Sequence, residues 1–392
     1  MNLRTFHLPR PPFLSEKRIA LFVFVASEQL LVSIVPLFSK ALASVEAGSL
    51  RVSMPMVAFV FAGLLGNSIG GRLIETQGLR AALIAGYLLA LFGYVSCTVA
   101  PDVWALAGAR AAAGVGYSIV TLGLQVRMIS GEDARRALSA FTSIIMSALA
   151  FGSVAGGFLA AFLGFRAVFL LSALCIALVF AVEWFSAPRA SDSLAKNRSG
   201  GGFAPLACKD FRDLLVNVAI PVKVVLSGFV FYFIPLYLQN ENRSTAYIGC
   251  IIVLYSIFMV PSVYLGSLLL SKVRNAPVLI AAASIATGLL LLFAPMNIAF
   301  AVAGIGICHG VVSVPTLTAV MAISTRAGVS STDFLAVVRS GERVGSVIGP
   351  ALTALILTMA GFQGAPWILG ALALALALRY ALGLAGRAEA QA

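Results

Sequence analysis

Apolar runs of about twenty residues, the length an α-helix needs to cross a bilayer, follow one another along this whole chain, and the charged residues collect in short clusters between them. A chain of 392 residues that is 60% hydrophobic and only 11% charged has too little polar surface to clothe a globule of its size. Soluble enzymes and secreted scaffolds are therefore excluded, and the pattern predicts an all-α polytopic membrane protein.

Hydropathy predicts twelve transmembrane helices, at about 18–39, 49–70, 81–100, 103–126, 137–162, 165–186, 214–238, 245–270, 276–294, 297–323, 333–360 and 364–385. The longest polar stretch, 187–213, carries Lys196-Asn197-Arg198 and Gly200-Gly201-Gly202 and divides the spans six and six. The expected organisation is an N-terminal six-helix bundle (1–186), a cytoplasmic central loop (187–213) and a C-terminal six-helix bundle (214–392). Lys and Arg are retained on the cytoplasmic side. With the N-terminus inside, nineteen of them fall in cytoplasmic segments, against Lys40, Arg51, Arg166 and Arg243 outside. Both termini are thus expected in the cytoplasm, in a bacterial inner (plasma) membrane, and no small-residue cleavage signature follows the first apolar run. The net charge of +12 reads as topology information, because no basic stripe interleaved with aromatics points to nucleic acid. Five scattered cysteines without a CxxC pair, and two histidines, predict reduced thiols and no metal.

The halves repeat. Gly152-Ser153-Val154-Ala155-Gly156 in the fifth span returns as Gly345-Ser346-Val347-Ile348-Gly349 in the eleventh, and Gly164-Phe165 returns as Gly361-Phe362. Duplication of a six-helix unit, giving two pseudo-symmetric bundles, fits both matches and the six-plus-six division.

After the second span the chain reads Gly71-Arg72-Leu73-Ile74-Glu75-Thr76-Gln77-Gly78-Leu79-Arg80. This loop resembles the signature loop of the major facilitator superfamily of secondary transporters. Arg110 with Gly114 and Gly116 is similar to that family's fourth-helix motif, Gly131 to Arg136 to its basic loop, and Gly152 to Gly157 to its glycine-rich fifth-helix motif. The sequence departs from the pattern in three places. Glu75 stands where Asp is usual, Thr76 where a base is usual, and Gly157 where the antiporter version has Pro, although Gly349-Pro350 occurs in the eleventh helix. The resemblance implies alternating access, with Gly71, Glu75, Gly78, Arg80, Gly152, Gly156, Gly345 and Gly349 as gating positions. On physical grounds Glu75 can pair with Arg80 and a helix N-terminus, locking the cytoplasmic face; an ordinary tight turn is the plainer alternative.

Six charged side chains lie well inside spans: Glu28, Arg110, Lys223, Arg339, Glu342 and Arg343. At roughly 3 kcal/mol each, the set facing lipid costs on the order of 20 kcal/mol, so these groups must face one another or water. Glu28, Arg110, Lys223 and His309 fall in the first, fourth, seventh and tenth spans, which in the resembled family line the central cavity. Glu28 and Lys223 are 195 residues apart, near the repeat offset, and are expected to meet at midplane.

Glu28 is the candidate proton-coupling site, since poor hydration favours a neutral carboxyl and a nearby cation an ionised one; a permanent packing ion pair is the alternative. Arg110 cannot release a proton and is assigned to substrate or to Glu28. Arg339, Glu342 and Arg343 crowd one side of a helix, where Glu342 most simply neutralises Arg339 and leaves Arg343 available for substrate; a purely structural charge cluster near the cytoplasmic mouth is the plainer reading. His309 is a second proton candidate, or else a packing histidine. Tyr232, in an aromatic cluster beside Pro235, is a candidate cavity residue, or else bulk facing lipid.

Four positive groups against two negative favour an anionic ligand. The predicted function is a proton-coupled carrier of a small organic anion or amphipathic compound, exporting it in exchange for protons. Uptake of an anion such as a metabolite or siderophore is the alternative, and a non-transporting receptor or lipid-handling protein the rival from another class. No HExxH, nucleophile elbow or phosphate loop occurs, so no enzyme and no cofactor is expected. The expected partners are the substrate, protons and lipid, with the chain acting as a monomer.

Overall fold

A computed structural model describes residues 16–43, 50–129, 134–186, 204–273, 275–328 and 331–389, and the regular structure among them is helical, with no strand. In chain order the helices are α1 (Glu16–Val32), α2 (Val35–Ala43), α3 (Leu50–Gln77), α4 (Leu79–Val99), α5 (Val103–Ile129), α6 (Ala134–Leu163) and α7 (Phe165–Ser186). After the central segment come α8 (Lys209–Asn240), α9 (Thr245–Val273), α10 (Ala276–Phe293), α11 (Ile298–Ala327) and α12 (Ser331–Glu389).

Ten helices among the described residues are long and apolar enough to cross a membrane, or eleven if α1 and α2, bent by 43°, form one broken span. Hydropathy predicted twelve. The difference lies in α12, which contains both of the last two predicted spans in one stretch of 59 residues, broken at Gly361 (φ 64°, ψ −174°) rather than by a separate loop. Only glycine takes that backbone geometry without strain.

Helix α8 is wound more widely at Leu215–Ala219 and Val225–Phe233, with π-type turns that come just before Pro221 and Pro235. A proline ring crowds the carbonyl four residues earlier and offers no N–H, and widening the preceding turn relieves both defects. The widened turns leading into Pro235 thus absorb what its ring would otherwise disturb.

The helices before and after the central segment form two sets, and their buried side chains gather in three clusters. Leu21, Phe24, Tyr87, Tyr94 and Phe169 belong to one buried cluster made of residues before the central segment. Phe229, Phe233, Ile252 and Val302 centre a second, which takes in Leu37 of α2 and Val52 of α3, while Phe211, Leu215, Ile280 and Phe334 lie in a third. Lipid tails are as apolar as these side chains, so association depends on close van der Waals fit, and small residues supply it. The repeated glycine motif does the same task twice. Gly152 and Gly156 lie against Gln29 and Leu30 of α1, and Gly345 and Gly349 against Ile220, Lys223, Ser227 and Gly228 of α8. The two sets also meet where Gly157 of α6 faces Thr245 and Gly249 of α9, and a Cβ on Gly249 would lie only 2.8 Å from the Ser153 carbonyl. The glycine that replaces the antiporter proline thus sits at a helix crossing between the halves.

Candidate functional site

Apart from Ser27, Glu28 and Gln29, the interior of α1 is apolar, so it carries one carboxylate into the first half. Arg110 reaches that carboxylate from α5. Its Nη2 donates to Glu28 Oε1 at 2.7 Å and its Nη1 to Oε2 at 3.0 Å, with both residues 3% exposed. The Tyr94 hydroxyl, from α4, also donates to Oε2. The Phe59 ring of α3 covers the guanidinium at 4.0 Å, and meets Tyr117 in turn at a tilted angle of 49°. Four helices therefore enclose one ion pair. The glycines that follow Arg110 permit this, since Gly114 packs on the Phe59 backbone and Gly116 on that of Ala90, drawing α5 tightly between α3 and α4.

Lys223 does not join this group, which corrects the expectation that it meets Glu28 at midplane. Its Nζ lies 4.0 Å from Glu342 Oε1, and Glu342 also accepts from Arg339 at 3.1 Å, the pairing expected on the eleventh span. Equivalent positions on two repeats face their own halves, so a pair related by the repeat offset is kept apart. Arg343 points across the boundary instead: Nη1 donates to the Gly63 carbonyl of α3 at 3.0 Å and to Ser118 Oγ of α5 at 3.5 Å.

His309 is buried in the second half, where Nδ1 meets the Tyr255 hydroxyl at 3.0 Å and Nε2 has no partner. Tyr232 is fully buried in the second-half core, not on an open wall. Its neighbours Phe229, Phe233 and Tyr237 stack in series at 5.2 and 5.5 Å.

At the far end of the first half, the expected pairing of Glu75 with Arg80 is not formed. Glu75 is exposed and makes no ion pair among the described residues, while the Arg80 guanidinium sits 5.4 Å from the Trp184 ring. Gly78 has φ 89°, which explains the glycine at this sharp link between α3 and α4, whereas Gly71 has open space around it. In the basic loop, 131–133 lie outside the described residues, as do the side chains of Arg135 and Arg136.

Reading the sequence missed three members of these networks. Tyr94 and Phe59 look like ordinary aromatics of apolar spans. Glu183, which forms a forked pair with Arg127, sits three residues from the end of a predicted span, where a charge gives no signal of its own.

A family model described as the Major Facilitator Superfamily matches residues 19–334. No curated protein matches the sequence. Among solved structures, a POT family transporter in complex with 5-aminolevulinic acid is similar at TM-score 0.71 and 11% identity, over 94% of this chain and 95% of that one. A mutant of the peptide transporter POT in complex with alafosfalin gives 0.70 and 16%, over 95% and 94%. A D-xylose-proton symporter gives 0.63 and 13%, over 92% and 95%. At these identities the likeness is one of fold. The family match over most of the length, together with the apolar helices that embed the chain in a membrane, identifies it as a non-enzymatic transport protein, a member of the Major Facilitator Superfamily.

Proposed function

We propose that this transporter couples the movement of a small organic anion to that of a proton. One observation carries the reading: a carboxylate in the last third of α1 is held by both terminal nitrogens of Arg110 and by Tyr94, nearly sealed from solvent. A proton arriving at Glu28 turns the pair into a neutral acid beside a free guanidinium, and a free guanidinium calls for an anion. An anion drawn toward Arg110 competes with the carboxylate for it and so favours protonation. Coupling free energies are reciprocal, so proton and anion help each other bind.

That sign of coupling favours co-transport, carrying both inward down a proton gradient. The second reading is export in exchange for protons, which the glycine-rich motif of the fifth span favours, though Gly157 in place of its proline weighs against it. That one structural neighbour is a D-xylose-proton symporter agrees with the first reading.

In this scheme Glu28 takes the proton, with His309 a second candidate, and Arg110, Lys223 and Arg343 serve the anion. Gly152, Gly156, Gly345 and Gly349 let the helices of each half slide as units, and the Glu75 and Arg80 loop closes the cytoplasmic face in the opposite state. Counted across Gly361, α12 makes two crossings, because 59 residues of helix would span ~90 Å against a hydrocarbon core of ~30 Å. The chain then has twelve crossings in two pseudo-symmetric six-helix halves, 1–186 and 214–392, and acts as a monomer with both termini in the cytoplasm of a bacterial inner membrane.

The test is reconstitution into liposomes holding a pH-sensitive dye, with carboxylates added singly to wild type, Glu28→Gln and Arg110→Ala. Anion-induced proton movement in the direction of the anion is expected in wild type alone. Proton movement that survives both substitutions would sink the site assignment, and movement opposite to the anion would establish exchange instead.

A further inference from the structure

Of the cations Arg110, Arg127, Lys223, Arg339 and Arg343, only Arg343 meets no carboxylate among the described residues. Glu28 holds Arg110, Glu183 holds Arg127, and Glu342 is shared by Lys223 and Arg339. Of the surplus of two positive charges read from the sequence, one is shared within the Lys223–Glu342–Arg339 cluster and the other resides on the Arg343 guanidinium, on the boundary between the halves. Both of its hydrogen bonds use Nη1 and cross that boundary, to the Gly63 carbonyl and Ser118 Oγ. Nε and Nη2 have no hydrogen-bond partner among the described residues, and the side chain is only half-buried.

The bond to α3 exists because Gly63 has no side chain. A carbonyl inside a helix already accepts one bond, and its second lone pair is reached only where nothing covers it. A Cβ at position 63 would lie 2.8 Å from Ser118 Oγ and 3.8 Å from Arg343 Nη1, so a larger residue would stand between the guanidinium and the carbonyl. On the same wall, Phe59 lies one helical turn from Gly63, and Arg110 two turns from Ser118. Ser118, which Arg343 reaches, thus lies ~12 Å along α5 from Arg110.

We propose that Arg343 is both the carboxylate receptor of the carrier and the tie between its halves when the site is empty. The free Nε and Nη2 edge is a planar fork that matches a carboxylate in two bonds. A docked carboxylate draws the guanidinium to itself and away from the Gly63 carbonyl, so the anion and the tie compete for one side chain. A ligand shifts a conformational equilibrium only by its differential affinity for the two states, and this competition supplies it. The inference rests on the anion-carrier reading above and assigns its substrate class, a carboxylate, to a particular group.

The experiment uses the full chain, purified in lipid nanodiscs, with spin labels at Thr76 and Thr325 in a cysteine-depleted background. The probes are acetate, benzoate and succinate, each paired with its neutral amide, and the readouts are probe affinity from thermal shifts and the distance between labels. Carboxylates but not amides are expected to bind wild type and change the distance. Arg343→Gln should weaken carboxylate binding 10- to 100-fold. Gly63→Val should do the opposite, raising affinity severalfold and giving, without any probe, the distance seen in carboxylate-loaded wild type.

Gly63→Val that weakens binding, or that keeps the wild-type empty distance, overturns the competition while leaving the anion carrier standing. Wild type that does not distinguish carboxylate from amide overturns the underlying reading itself. Should valine upset helix packing, Arg343→Lys decides the matter, because an ammonium keeps the charge and the single bond but lacks the fork. The empty distance should then be retained while affinity falls about tenfold, and unchanged affinity overturns the proposal.

Discussion

Arg110 grips Glu28 through both terminal nitrogens, at 2.7 and 3.0 Å, across 82 residues of sequence and inside a shell of apolar side chains. Removing one partner of such a pair strands the other charge, which costs about 3–5 kcal/mol, whereas removing both costs far less. Arg110→Met alone should therefore lower the melting temperature in detergent more than Glu28→Gln with Arg110→Met together. Additive losses in the double-mutant cycle would mean that the two groups do not depend on each other.

The duplicated glycines should be equally intolerant in both halves. A side chain on Gly156 would collide with the Leu30 backbone, and one on Gly349 with Ser227 and Gly228. Overpacking of this kind costs about 1–3 kcal/mol or more, so Gly156→Val and Gly349→Val are each expected to reduce folded yield and thermal stability. Gly71→Ala meets nothing within 4 Å and should gain about 1 kcal/mol of helix propensity. Parallel melts of the three variants check the contrast, and a stable Gly349→Val would remove the claimed equivalence of the halves.

Glu183 and Arg127 form the second forked pair of the first half, with side chains 9% and 22% exposed. The Tyr87 hydroxyl nearby is buried and unpartnered. Because Arg127 retains some access to water, Glu183→Gln should cost less than breaking the Glu28 pair, about 1–3 kcal/mol. Chemical denaturation with both variants measured side by side gives the order, and a larger loss for Glu183→Gln would reverse it.

Where Gly157 faces Gly249, the halves come together with almost no side chain between them. Gly157→Leu should wedge this end apart and leave each half's own packing intact. The expected result is a longer distance between spin labels at Leu163 and Asn242 with little change in melting temperature. A large stability loss with an unchanged distance would show that the crossing is part of a fixed core.

Much of the architecture was legible because hydropathy and charge act locally. A run of apolar residues must cross the bilayer whatever its neighbours do, so the all-helical membrane class and the family could be read from the chain, while the count of twelve spans met ten or eleven membrane-length helices because of the break at Gly361 and the bend between α1 and α2. The cost of an unpaired charge in hydrocarbon likewise singles out Glu28, Arg110, Lys223, Arg339, Glu342 and Arg343 from the chain alone.

What the sequence determined alone, then, was which groups must find partners; which partners they find was decided by tertiary packing. Glu28 and Lys223 occupy matching places in the repeat, yet one is gripped by Arg110 and the other leans toward Glu342. Nothing along the chain distinguishes Tyr94 from other tyrosines, or Gly63 from the other glycines of its helix. Their roles arise because α4 turns a hydroxyl toward a carboxylate, and because α12 crosses α3 where a backbone carbonyl is bare. Pairing energies fall off within a few ångströms, and spacing along a helix cannot report distances of that order between helices.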